Sequence, residues 1–500
     1  MSDEKNGKKD EKTPPKLEEK KVETHHTVTI GGEPIGYTAT AGTLLLRKED
    51  GTPEGKERAS VFYVAYTKEG VADPGRRPIT FSFNGGPGSS SVWMHLGMLG
   101  PRIVQMNEDG SVPPPPHKLK ENPHSILDVT DLVFIDPVST GFSRPVGEGN
   151  GADFHGYDQD IESVGEVIRL LTTRMQRWAS PKFIIGESYG TTRASGLAGH
   201  LQMRHGLSLN GIMLVSSILN FQTARFVVGN DLPYILFLPT YTATAWYHKR
   251  LPEAMQSQPL RAVLDQVEAF ALGEYATALM KGANLPNEER AGIVEQLIRF
   301  TGLSREYIER TNLRLNIFRF TKELLREERR TVGRLDSRFK GIDRDAAGEM
   351  FEYDPSYSAI QGLYTATLND YIRRQLRFEV DIPYEILAGL YMKWDYGKYQ
   401  NQYLNVGETL RQAMTQNPFL KIFVANGYYD MATPYFATEY TFNHLDLDPV
   451  LQANIRMGYY EAGHMMYVHP PSLAQIKADL TDFIRAATDG RSPDPAGTLG

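Results

Sequence analysis

Cysteine is missing from all 500 residues, which excludes disulfides, thiolate metal sites and a cysteine nucleophile together. An excess of positive charge is missing as well: 54 Lys and Arg stand against 61 Asp and Glu, a net −7. Surfaces that track phosphates or grip an anionic membrane need concentrated Lys and Arg, so neither nucleic acid nor membrane is an expected partner. No apolar run has the length of a membrane span; the strongest, Leu232–Tyr247, is short and contains Pro233 and Pro239. The histidines are scattered and no His-Glu-x-x-His pattern occurs, so no metal and no cofactor are expected. Residues 1–5 open a charged stretch without the apolar centre of a secretory leader. A cytoplasmic location is therefore expected of the sequence as it stands, and a periplasmic or secreted one if a leader has been removed. Oligomeric state leaves no mark in the sequence.

What is present is ordered along the chain. Residues 1–26 mix Lys and Glu around Pro14-Pro15 without apolar periodicity and read as a disordered charged tail. Runs at 43–46 and 61–66 flank a turn-rich 51–55, the pattern of antiparallel strands at a sheet edge. Strand, glycine turn and helix then alternate, with apolar strands at 78–83, 131–135, 182–185 and 211–216 and helical spacing at 160–178 and 194–203. Such alternation predicts an α/β fold, a mainly parallel central sheet with helices on both faces. From 220 to 382 the alternation gives way to Arg- and Glu-dense helical segments at 260–271, 291–300 and 318–330, read as a helical cap insertion. It resumes at 419–424 and 455–460, before a last helix at 471–487 and a frayed tail over 489–500. One α/β domain, 27–219 and 383–488, is thus expected to be split by a cap.

The chemistry-bearing signal is Gly186-Glu187-Ser188-Tyr189-Gly190, entered by a strand and left by a helix. That context makes Gly-x-Ser-x-Gly a nucleophile elbow of the α/β-hydrolase fold, where the turn is too tight for side chains at the flanks. A serine hydroxyl needs a base to take its proton, and in this fold the acid and then the histidine follow on loops after later strands. Asp430 and His464 occupy those positions. His444 and His469 are rivals, but neither sits in a glycine turn after a strand. An oxyanion hole needs two backbone N–H groups. Tyr189, next after the serine, supplies one, and Gly86 in the loop Asn84-Gly85-Gly86-Pro87-Gly88 is the choice for the other. A phosphate cradle is a poor reading of that loop, since Pro87 lacks a donor and no P-loop Lys follows.

Several motifs together resemble the serine carboxypeptidase family: 84–90, Gly100-Pro101, 136–143, 186–190, Asp430 and Gly463-His464-Met465. The resemblance implies a peptidase acting through an acyl-enzyme on Ser188, with Asp430 and His464 completing the triad and peptides as substrates. It also implies that Asn84, Glu187 and the Gly85 amide hold the substrate's C-terminal carboxylate. A carboxylate beside Glu187 must share a proton with it, hence an expected acidic preference. Three departures weaken the clamp rather than the triad: Met98 where family members carry Glu, Ser82 where they carry Trp, and Ser89 where they carry Cys. An esterase or acyltransferase with the same triad is the alternative, and a silent binding protein a remote one.

Overall fold

A computed structural model gives the arrangement of the chain and describes residues 17–48, 51, 55–107 and 110–489. In chain order the main strands are β1 (Lys21–Ile30), β2 (Glu33–Lys48), β3 (Lys56–Lys68), β4 (Ile79–Phe83), β5 (Asp131–Ile135), β6 (Lys182–Ser188), β7 (Gly211–Ser217), β8 (Lys421–Gly427) and β9 (Ile455–Tyr460). They form one sheet in the order β1-β2-β3-β5-β4-β6-β7-β8-β9, and Arg144–Pro145 adds a short tenth strand against β3. The first three strands pair antiparallel, as does β3 with β5. Every neighbouring pair from β5 to β9 is parallel.

The longer helices are α1 (Tyr157–Arg174), α2 (Tyr189–His205), α3 (Leu232–Tyr247), α4 (Leu260–Phe270), α5 (Asn287–Thr301), α6 (Pro355–Arg374), α7 (Gly407–Gln416), α8 (Tyr435–Asn443) and α9 (Pro470–Thr488). Alternate residues of each central strand face opposite layers. On β6, Phe183 and Ile185 join the core shared with α6 and α9, while Ile184 joins the core shared with α1, α2 and α7. With both faces covered, β4, β5 and β7 are buried at every position, so they read as unbroken apolar runs. This is the α/β-hydrolase fold. Its order places β5 and β6 on opposite sides of β4, and the crevice at such a switch point is where open α/β sheets bind ligands. Asn84 leaves β4 at that crevice, and Ser188 ends β6 beside it.

The tail expected over 1–26 overlaps a strand that begins at Lys21. Val22, Thr24 and His26 are half-buried and Val28 and Ile30 buried, alternating with exposed neighbours, a period of two that pairs β1 with β2 from Lys21 onward. Residues 1–16 lie outside the described residues, as does the expected C-terminal tail from 490 onward.

The block 220–382 is not one cap either. Its first part, α3 to α5, packs around a core of its own that also takes in Tyr429, Met431 and Tyr435. Its last part, α6, gives Ile360, Leu363, Tyr364 and Leu368 to the main core under the sheet. The helix expected over 318–330 stops at Glu323 and is followed by a single turn at Arg326–Glu328. Leu324 and Leu325 are both buried there, and Arg329 turns to φ 55°. The chain then enters a hairpin, with Thr331–Val332 antiparallel to Lys340–Gly341.

Candidate active site

Ser188 stands at the sharp turn from β6 into α2, with φ 60° and ψ −129°, a conformation that costs an L-residue on the order of 1–3 kcal/mol. Close backbone contacts enforce it. A Cβ on Gly186 would collide with the Gly190 carbonyl, and one on Gly190 would stand 2.9 Å from the Phe83 carbonyl oxygen. Thr191 Oγ1 donates to the Ser188 carbonyl at 2.6 Å and accepts from the Ile218 amide at 2.9 Å. The nucleophile candidate is thus held by its own strand, by β4 and by the end of β7.

Asp430 follows β8 and is fully buried. Its Oδ1 accepts the amides of Ala432 and Thr433 at 2.8 and 3.0 Å, and its Oδ2 accepts Thr433 Oγ1 at 2.7 Å and His464 Nδ1 at 2.8 Å. Burial opposes a charged imidazole, but the Asp430 carboxylate and its hydrogen bond, with Glu187 beyond, outweigh it and raise the proton affinity of His464. His464 follows β9, and its carbonyl accepts Ser216 Oγ at 2.6 Å. Ser216 precedes Ser217, the register partner of Ser188, so the histidine lies one strand from the serine. Among the described residues no hydrogen bond joins Ser188 to His464, a contact that in such sites often tightens only when substrate binds. The rivals are occupied elsewhere. His444 bonds the Tyr440 carbonyl at 2.7 Å and His469 bonds Ser472 Oγ at 2.8 Å.

The two loops are braced by the hairpin, whose loop, 333–339, lies between them. The Met431 amide donates to the Arg334 carbonyl at 3.0 Å, and the Ser337 amide to the Tyr429 carbonyl at 3.1 Å. On the other side the His464 amide donates to the Leu335 carbonyl at 2.6 Å, and the Gly463 amide to Asp336 Oδ2 at 3.2 Å. Asp336 is itself paired with Arg338 at 2.6 Å.

The glycine loop after β4 presses on the elbow: a Cβ on Gly85 would collide with the Tyr189 amide and stand 2.8 Å from the Gly190 amide. Gly86 takes φ 104°, open to glycine but strained for other residues. Asn84 and Glu187 meet, with Asn84 Nδ2 donating to Glu187 Oε1 at 2.9 Å. Tyr467 OH donates to the other oxygen, Oε2, at 2.6 Å. Burial pushes the Glu187 carboxyl up to about 7, against the opposing pull of His464 and of these two hydrogen bonds. Behind Asn84, Arg193 donates to its carbonyl at 2.6 Å and to Asp160 Oδ2 at 2.7 Å, a buried ion pair linking α2 to α1.

A serine, a histidine–aspartate pair, a glycine loop and a buried acid therefore converge at one end of a parallel sheet. A profile of the serine carboxypeptidase family matches residues 51–466. The chain belongs to the serine carboxypeptidase family. Among its curated relatives, the pheromone-processing carboxypeptidase KEX1 of Saccharomyces cerevisiae is 34% identical over 126 residues, 25% of this chain and 16% of the relative. Serine carboxypeptidase-like 45 of Arabidopsis thaliana is 27% identical over 208 residues, 39% of this chain and 40% of the relative. The chain thus spans less than half the length of these relatives. The solved structure of a yeast prohormone-processing carboxypeptidase, Kex1(delta)p, superimposes with a TM-score of 0.54 at 17% identity, over 90% of this chain and 91% of that one.

Within the serine carboxypeptidase frame, the three departures are all buried. Ser89 Oγ accepts Trp93 Nε1 at 2.9 Å, Ser82 Oγ has no partner among the described residues, and Met98 sits in the π-helical turn His95–Leu99 with no polar group on its side chain. The donor to Glu187 that the sequence reading missed is Tyr467. Its signal was slight, an aromatic residue three positions beyond His464. Thr433 and the hairpin loop were missed as well; nothing in the spacing of 333–339 ties it to residues about 90 to 130 positions away.

Proposed function

We propose that the chain is a serine-type carboxypeptidase that releases C-terminal residues from peptides through an acyl-enzyme on Ser188. The Asp430–His464 pair at 2.8 Å, one strand from a serine on a strained turn, carries this reading. His464 takes the proton of Ser188 as the hydroxyl attacks the scissile carbonyl, then returns it to the departing amine; water repeats the sequence to free the peptide. Asp430, saturated with donors, fixes the imidazole tautomer and stabilises its charged form. The amides of Gly86 and Tyr189 would receive the developing oxyanion.

Asn84, the Gly85 amide and Glu187 would take the substrate's terminal carboxylate. With Glu187 titrating near 7, it is an acid below that pH and can donate to the carboxylate. Above it, two like charges face each other in a buried site and binding weakens. The same proton serves the base: ionised Glu187 adds to the proton affinity of His464, so a protonated Glu187 leaves the imidazole freer to accept the proton of Ser188 at acidic pH.

The test compares an N-blocked dipeptide, its C-terminal amide and an ester at acidic and neutral pH, beside Ser188→Ala. The proposal expects the free acid to be cleaved best at acidic pH, the ester to be free of that limit, and the variant to be inert. Turnover of esters alone would leave an acyl hydrolase and remove the peptidase.

A further inference from the structure

The Glu187 carboxyl is held from both sides, and only one of the two holders belongs to the elbow and its glycine loop. Asn84 grips Oε1 at 2.9 Å and Tyr467 OH grips Oε2 at 2.6 Å. All three side chains are buried, so water does not substitute for either donor. We infer that Tyr467 is a positioning residue for Glu187, its hydroxyl opposing the Asn84 amide so that the carboxyl meets the terminal carboxylate of a peptide in a single orientation. The inference rests on the carboxypeptidase reading above and concerns the same site.

Tyr467 is itself firmly placed. It lies in the turn Met466–Val468, three residues beyond His464, so one short segment carries the base and this tyrosine. Its ring is packed where only glycine fits: a Cβ on Gly97 would stand 2.5 Å from Tyr467 Cε2 and would also strike the Tyr364 hydroxyl. Tyr364 comes from α6, and its own hydroxyl is buried without a partner among the described residues. The titratable groups that face Glu187 are thus His464 and Asp430 from the loops after β9 and β8, Tyr467 beside the base, and Tyr364 from α6. Among them Tyr467 alone hydrogen-bonds the acid.

The direction of its effect follows from chemistry. A hydroxyl that donates to a carboxylate oxygen favours the ionised form, so Tyr467 restrains the upward push of burial on Glu187. Without the hydroxyl, Glu187 would keep its proton to higher pH but lose its fixed orientation.

The experiment measures kcat and KM against pH for an N-blocked dipeptide and for its ester, in the wild type, Tyr467→Phe, Glu187→Gln and the double variant. In Tyr467→Phe the alkaline limb for the dipeptide is expected to move up by about one to two pH units, since a hydrogen bond to a charged group is worth about 1.5–3 kcal/mol. KM for the dipeptide is expected to rise roughly tenfold at the optimum, with kcat and the ester little changed. In the Glu187→Gln background the same substitution should add nothing further. An unmoved limb, an ester that suffers as much as the peptide, or a full Tyr467→Phe effect without Glu187 would overturn the inference while leaving the carboxypeptidase reading intact. Coincident pH profiles for peptide and ester in the wild type would instead remove the carboxylate clamp, and this role with it.

Discussion

Replacing Ser188 by alanine and by glycine separates the cost of the elbow from its chemistry. Both substitutions remove the hydroxyl, and both should abolish turnover. They differ in the backbone, because alanine keeps a Cβ at φ 60° and ψ −129° whereas glycine has none. The strain of an L-residue in such a conformation is about 1–3 kcal/mol. Glycine also loses more freedom on folding, which offsets about 0.5–1 kcal/mol of the relief. The glycine variant should therefore be more stable than the alanine variant by up to about 2.5 kcal/mol. Urea unfolding of the two proteins reads the difference as a shift in midpoint at unchanged slope. The hydroxyl is absent from both, so a lost hydrogen bond cannot produce the gap. An alanine variant more stable than the glycine variant would refute the claim that the sheet and the glycine loop force Ser188 into a strained turn.

Three further outcomes follow from the site. Asp430→Asn, which leaves the imidazole beside an uncharged amide, should lower ester hydrolysis by about three to four orders of magnitude; a rate within tenfold of wild type in the folded variant would count against the pair. Gly463→Ala would place a Cβ 2.5 Å from Asp336 Cβ, costing about 1–3 kcal/mol of stability and lowering kcat, both absent if the hairpin loop does not bear on His464. Arg193→Met would leave Asp160 buried and unpaired, a loss of about 3–5 kcal/mol in denaturant unfolding, and Asp160→Asn in the same chain should recover part of it.

Much of the sheet and the sharp turn at Ser188 was legible because each carries a local signature. Gly186 and Gly190 surround Ser188 in sequence as well as in space, and the apolar runs of β4 to β8 announce strands buried on both faces. Asp430 and His464, which pair at 2.8 Å, stand out by their order and their place after strands, which the topology of the sheet dictates. The start of β1 was overlooked because Lys21, Glu23 and His25 look like a continuing charged tail, although their alternation with half-buried neighbours was already the mark of a strand. α6 was assigned to the cap because helical spacing shows that a segment has an apolar face and not what that face covers. Tyr467 and the hairpin loop left no such trace. A hydrogen bond from Tyr467 to Glu187 spans 280 positions, and a backbone contact such as that of Leu335 with His464 involves no particular side chain.

The site is therefore positioned in two ways with different origins. Ser188, Gly85 and Asn84 are held by features of the sheet itself: the ends of β4 and β6, the N-terminus of α2, and the Arg193–Asp160 pair behind them. Asp430 and His464 leave the sheet on separate loops, and the groups that tie those loops together come from the insertion. The hairpin loop takes the Met431 amide on one side and the His464 amide on the other, while Asp354, at the start of α6, accepts the amides of Arg334 and Leu335 at 3.2 and 3.3 Å. α6 in turn lies in the main core and carries Tyr364 against the Tyr467–Gly97 contact. Met431, Gly463 and His464 are buried, and a displaced amide in such a place costs about 1–3 kcal/mol. Movement of the insertion would then disturb Asp430 and His464 before it disturbed Ser188, so the block between β7 and β8 frames these two residues rather than lying over them as a lid.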